Sequence, residues 1–157
     1  MSAGDRRWDH GPITYDVYAA VTPGMIVAPG ASPNQNLVGP AGANAVNWMG
    51  VATTGGLPVG TSTTFTSPSG YTGLDLTVGD EHVAVGDAPE VYECIAGGTI
   101  NFGDRVKCGA NGTVVAWVAG TDAPERRVGK CVQVGGAVAG TGADGLANTV
   151  LVKLGTY

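Results

Sequence analysis

The sequence predicts a mainly β chain: a small barrel or sandwich of SH3-like or β-tulip-like kind, with long loops, an extended N-terminal arm and little helix. Three observations lead there. Glycine is abundant, 27 of 157 residues, with 9 prolines, and neither follows the Gly-X-Y period of collagen. Between these breakers lie short runs of Val, Thr and Ala, so turn signals recur roughly every 8–12 residues, as in small sandwiches and barrels. No longer window carries a 3.6-residue apolar stripe with start and stop signals. The best helical stretch is a turn or two around Ala41–Trp48.

Residues 1–14, "MSAGDRRWDHGPIT", are polar and aperiodic and read as an extended arm, with residues 15–157 forming a single β-rich domain. "TYDVYAAV" from Thr14 has a β-like mix of Tyr and Val, and "TPGMIVAPG" gives turn, short apolar strand and turn. Residues 29–47 are rich in turn formers and read as a long loop. "WMGVATTGG" (48–56) is a strand ending in a double glycine, "TSTTFTSPSGYTG" (61–73) a Thr/Ser loop with two aromatics, and "LDLTV" (74–78) an alternating segment. "EHVAVGDAPEVYECIAGG" (81–98) reads as two strands hinged at Gly86–Pro89.

"GDRVKCGANGTVVAW" (103–117) has the pattern of a hairpin. Alternation puts Arg105 and Lys107 on one face and Val106 and Cys108 on the other. A turn needing φ > 0 falls at Asn111-Gly112, and the return strand puts Val114 and Ala116 opposite Val115 and Trp117. Asp104, at the strand start, is placed to cap nearby N–H groups. "RRVGKCVQVGG" (126–136), the loop "AVAGTGADGLA" and the strand "NTVLVKLG" (148–155) complete the chain.

The sequence also echoes itself. Gly24 and Gly50 are separated by the same interval as Gly103 and Gly129, "PGMIVAPGA" lies over "FGDRVKCGA", and "WMGVATTGG" over "RVGKCVQVGG" with one extra residue. Each copy would be a strand, a variable loop and a return strand, as suits a barrel built from two similar halves.

The bulk numbers exclude several functions. Net charge is −5, with a charged fraction of 13%, about half the usual share. That balance argues against binding bare nucleic acid, and such a charge-poor surface suits a protein partly covered by neighbours. No apolar run is long enough for a membrane span, and the arm has no apolar stretch behind Arg6-Arg7 to make a signal peptide. Three cysteines without CxxC spacing fit synthesis in a reducing cytoplasm.

Catalytic and metal constellations are missing. His10 and His82 sit in no ligand pattern, and His82 at a strand start reads as a surface residue. Cys94, Cys108 and Cys131 lie in apolar strand contexts and read as small buried hydrophobes. Asp80, Glu81, Asp87 and Glu90 flank a hairpin without the EF-hand array. "GTGADG" (140–145) lacks the helix and lysine of a phosphate loop. No enzyme, cofactor or metal is expected, and the chain reads as a binding or structural module.

The ordered set "PGMIV", "MGVA", "EHVAVGDAPEVYE", "GDRVKCGANGTVV", "RVGKCVQVGGA" and "TVLVKLG" resembles the capsid decoration (cement) proteins of tailed bacteriophages, over roughly residues 20–155 and best over Gly103–Leu154. The sequence departs from that pattern at Pro23-Gly24-Met25, where an acidic residue often follows the glycine, and in loops 29–47 and 57–73. The resemblance implies a non-enzymatic virion protein on the outer capsid surface. It would be a homotrimer at threefold and quasi-threefold positions, clamping major capsid protein subunits, with no nucleic-acid or membrane partner. Arg6, Arg7, Trp8, His10, Tyr15, Arg126 and Arg127 are the expected partner contacts, since arginine and aromatic side chains anchor interfaces and a loose arm can add to a partner strand. A second reading is a β-barrel subunit of a tail, fibre or adhesin, with Trp48, Phe65 and Tyr71 stacking on sugar rings. A third is a hydrolase or thiol enzyme using one of the cysteines.

Overall fold

The computed structural model describes residues 13–58, 63–66, 72–75, 82–135 and 149–155. Its strands are β1 (Ile13–Asp16), β2 (Ile26–Pro29), β3 (Val38–Pro40), β4 (Gly50–Ala52), β5 (Thr63–Thr66), β6 (Thr72–Asp75), β7 (His82–Gly86), β8 (Val91–Ile95), β9 (Arg105–Cys108), β10 (Val114–Ala116), β11 (Arg127–Cys131) and β12 (Thr149–Leu154). The only helical turns among the described residues are two short 3₁₀ segments, Ala110–Gly112 and Pro124–Arg126.

Ten strands form two antiparallel five-stranded sheets, ordered β1-β7-β4-β2-β3 and β8-β12-β11-β9-β10, while β5 and β6 pair as a separate hairpin. The two orders match strand for strand, so the internal echo is a duplicated unit. Hydrogen bonds repeat as well. Gly24 N–H donates to Ala52 O at 2.8 Å and Gly103 N–H to Cys131 O at 3.0 Å. Ala52 N–H donates to Met25 O and Cys131 N–H to Asp104 O, both at 2.8 Å. A parallel bridge joins the outer strands of each sheet, Val17 to Val38 in the first and Ala96 to Val114 in the second, curling each unit into a small barrel.

Each barrel is filled by inward β-branched and small residues. Val17, Val21, Val27, Val38, Ala52, Val83 and Val85 fill the first. Ala96, Ile100, Val106, Val114, Cys131, Val150 and Val152 occupy matching positions in the second. Glycine is required where strands approach most closely. A Cβ on Gly50 would collide with Gly86 O, and one on Gly129 with Lys153 O.

The copies differ in what lies outside. On the first unit, Ile26, Ala28, Ala41 and Val51 are buried in one cluster with the second unit's core, and Trp48 packs against it. Three backbone hydrogen bonds also join the units: Ile95 N–H to Gly24 O at 3.0 Å, Asn44 N–H to Cys108 O at 2.9 Å, and Gly112 N–H to Ala41 O at 2.8 Å.

Four local expectations change. The loop 29–47 contains β3, whose three residues Val-Gly-Pro are too short and turn-rich to show a period. The loop 61–73 holds β5 and the start of β6. The helical turn around Ala41–Trp48 is instead a non-helical connection, with Asn44 at φ 60°. Ile13 and Thr14, assigned to the arm, lie in β1, paired with Val85 and Ala84.

Candidate partner-docking face

The hairpin of residues 103–117 forms as the alternation requires. β9 pairs with β10 in the register Val114–Cys108, Val115–Lys107 and Ala116–Val106. Asn111 and Gly112 take the turn at φ 53° and 72°. Asp104 accepts the N–H of Asn101 at 2.8 Å. Val106, Cys108 and Val114 are buried, while Arg105 is exposed and Lys107 half-buried.

Trp117, directly after β10, becomes the centre of a built surface. Its indole N–H donates to Ala123 O at 3.0 Å, which holds the ring against the connection that follows. The guanidinium groups of Arg105 and Arg127 lie 5.8 and 5.1 Å from the ring centroid, within cation–π range. Arg127 Nε–H donates to Pro124 O at 2.9 Å, which limits the freedom of its side chain. Asp122 ties the loop down: it pairs with Lys107 Nζ and accepts Val118 N–H at 2.8 Å. These contacts hold its carboxyl below the usual carboxylate range, the Lys107 bond being the larger cause.

Lys130 pairs in register with Arg105 across β11 and β9, so both project on the same side. A groove of about 460 Å³ runs between them, lined by Gly103, Asp104, Arg105, Trp117, Ala119 and Lys130. Next to it along the chain, Phe102 and Val118 are exposed at 63% and 53%, large fractions for apolar side chains. The face therefore offers two oriented guanidinium groups and an ammonium around an indole, an arrangement suited to binding carboxylates.

Arg127 is the expected partner contact that the fold brings to this face, and Arg126 is its half-buried neighbour in Pro124–Arg126. Tyr15 lies elsewhere, half-buried in β1 against the first unit's core. Arg6, Arg7, Trp8 and His10 lie outside the described residues, as do Asp80, Glu81, Tyr71 and the 140–145 loop; the Phe65 side chain is likewise not described. Trp48 was expected as an exposed stacking ring, but it packs against the shared core. Trp117 was assigned only to a hairpin face; the signal for it was arginine at 105 and 127 flanking an aromatic at 117.

Elsewhere the chemistry is quiet. All three cysteines are buried free thiols, and burial pushes Cys94 up to about 12 and Cys108 up to about 11. Neither is a ready thiolate nucleophile. Exposed His82 bonds Asp16 through Nδ1 at 2.7 Å. Among the described residues no three His, Cys, Asp or Glu side chains are grouped to hold a metal ion, and no helix is long and apolar enough to cross a membrane. In the cleft between the units, about 300 Å³, Tyr92 bonds Glu90 at 2.7 Å; burial and that carboxylate push its phenol up to about 12.

No protein-family model and no curated protein matches the chain. Among solved structures the chain is similar to the N base of head fiber gp8.5 in bacteriophage phi29, with a TM-score of 0.57 and 18% identity, over 92% of this chain and 92% of that one. At this identity the likeness speaks to fold, and it extends through both units.

Proposed function

We propose that the chain is a structural protein of a tailed-phage virion, which decorates and stabilises the outside of an icosahedral capsid. In this reading it bridges major capsid protein subunits as a homotrimer at threefold and quasi-threefold positions. It is made in the host cytoplasm and resides on the outer capsid surface. The observation that carries the reading is the fold shared, nearly end to end, with the base of a phage head fibre. The order of the glycine-punctuated motifs adds support. The mechanism is mechanical: a trimer in contact with several subunits sums modest contacts through high effective concentration, and so opposes the outward load on the shell. The arm, with Arg6, Arg7, Trp8 and His10, would add contacts beyond the barrel units.

Purified protein mixed with undecorated capsids is expected to bind at a saturating, symmetry-fixed copy number and raise their resistance to heat. Removing residues 1–12, which leaves β1 whole, is expected to weaken capsid binding while the barrels stay folded. Failure to bind any mature capsid overturns the reading. The head-fibre neighbour favours one alternative, a base that carries a fibre; saturable capsid binding without heat protection would select it.

A further inference from the structure

We infer that the outer face of the second unit, centred on Trp117 with Arg105, Arg127 and Lys130 around it, docks the carboxylate-rich surface of another protein. The duplication carries this furthest. Register and hydrogen bonding align Ile26 with Arg105, Ala41 with Trp117 and Val51 with Lys130. For example, Ala41 N–H donates to Ile26 O at 2.9 Å and Trp117 N–H to Arg105 O at 2.8 Å. Ile26 pairs with Val51 as Arg105 pairs with Lys130. The same side of the same strands is thus an interface in the first unit, where the second unit covers it. In the second unit the connection after Trp117 covers only Lys107 and part of the ring, Arg105 and Lys130 stay exposed, and the residues of that side have changed from apolar to basic and aromatic.

That change defines the occupant. Another neutral unit packed as the second packs on the first would bury Arg105 and Lys130 without counter-charges, at a cost of several kcal/mol each. Among the described residues neither side chain forms an ion pair. A surface that brings carboxylates satisfies both and meets guanidinium groups already oriented by the Trp117 ring. Residues 103–130 hold five of the chain's eight basic residues and only three of its thirteen acidic ones, so this stretch is positive in a negative chain. Asp104, Asp122 and Glu125 interrupt the basic pattern, and with a net charge of −5 they disfavour a continuous phosphate backbone. Exposed Phe102 and Val118 add apolar contact area beside the charges, as protein partners use.

The inference concerns the chemistry of the face and does not rest on the proposed virion role; under that role the capsid subunit is the acidic partner. The full chain is tested for binding to immobilised poly-L-glutamate, with duplex DNA in parallel and undecorated capsids as a separate arm. Wild type is expected to bind polyglutamate more tightly than DNA and to weaken as salt rises. Arg105→Glu/Lys130→Glu, both exposed and checked for an unchanged melting curve, is expected to bind polyglutamate at least about tenfold more weakly. Unchanged binding by this variant, or tighter binding to DNA than to polyglutamate, overturns the docking face. Polyglutamate binding with no capsid binding overturns the virion role and leaves the face standing; capsid binding without polyglutamate binding does the reverse.

Discussion

Truncating Ile26 to alanine tests whether the two barrels stand or fall together. Ile26 is 0% exposed and lies in the cluster that joins the units. The change removes three buried carbons, about 2.4 kcal/mol at roughly 0.8 kcal/mol per methylene. Partial collapse around the gap leaves a cavity penalty of about 1–2 kcal/mol. The expected loss is therefore about 3–4 kcal/mol, or roughly 6–16 °C in Tm for a chain of this length. Arg105→Ala, at the matching position of the second unit, is the internal control. It removes an exposed side chain and one cation–π contact, and is expected to cost no more than about 1 kcal/mol. Urea unfolding followed by far-ultraviolet circular dichroism gives both values by linear extrapolation. A loss below about 1 kcal/mol for Ile26→Ala refutes the shared core. So does a split transition in which only one half of the amplitude shifts.

Three further outcomes follow from the same geometry. Gly50→Ala and Gly129→Ala place a methyl against Gly86 O and Lys153 O, and each is expected to destabilise by about 1–3 kcal/mol in thermal melts; a neutral effect at both would mean the strands are not so closely apposed. The cysteines are expected to resist a thiol reagent at pH 8 in the native protein and react fully in guanidinium chloride. Because the folded values of Cys94 and Cys108 lie near 12 and 11, above about 8.5 for an unfolded thiol, their contribution to stability is complete below pH ~8.5 and is lost as pH rises toward the folded values; flat stability up to pH 10.5 would contradict it. Asp122 has the opposite sign. Its depressed carboxyl stabilises the Trp117 loop above the ordinary aspartate range near pH ~4, an effect lost as pH falls through the lower folded value. The Trp117 indole N–H resonance is expected to shift on Asp122→Asn and on acidification, and a resonance insensitive to both would show that Asp122 does not anchor the loop.

Much of the fold was legible because strands are specified locally. Alternation in "DRVKC" and "TVVAW" determined which side chains point inward, and Asn111-Gly112 determined where the chain reverses, since that turn needs positive φ at both positions. The spacing of Gly24, Gly50, Gly103 and Gly129 exposed the duplication, because both copies need positive φ at Gly24 and Gly103 and leave no room for a Cβ at Gly50 and Gly129. β3 escaped notice: a strand of Val-Gly-Pro is held by its partner β2, and its own composition says turn. β5 and the start of β6 escaped for the same reason, since the pairing of Thr63–Thr66 with Thr72–Asp75 is a property of both segments together. Ala41–Trp48 looked helical from composition, but the covering unit claims its backbone through Asn44 N–H and Ala41 O.

The sequence alone determined which side chains of β9 and β10 face into their barrel, because a strand's two-residue period needs no knowledge of distant segments. It also determined that the chain repeats its own plan. Only the tertiary structure decided the fate of the outward positions. Ile26, Ala41 and Val51 are outward on their strands yet buried, whereas Arg105, Trp117 and Lys130 occupy the matching places and remain accessible. Coverage of an outer face is set by what packs across it, and that depends on contacts between residues far apart in the chain, which no local period encodes.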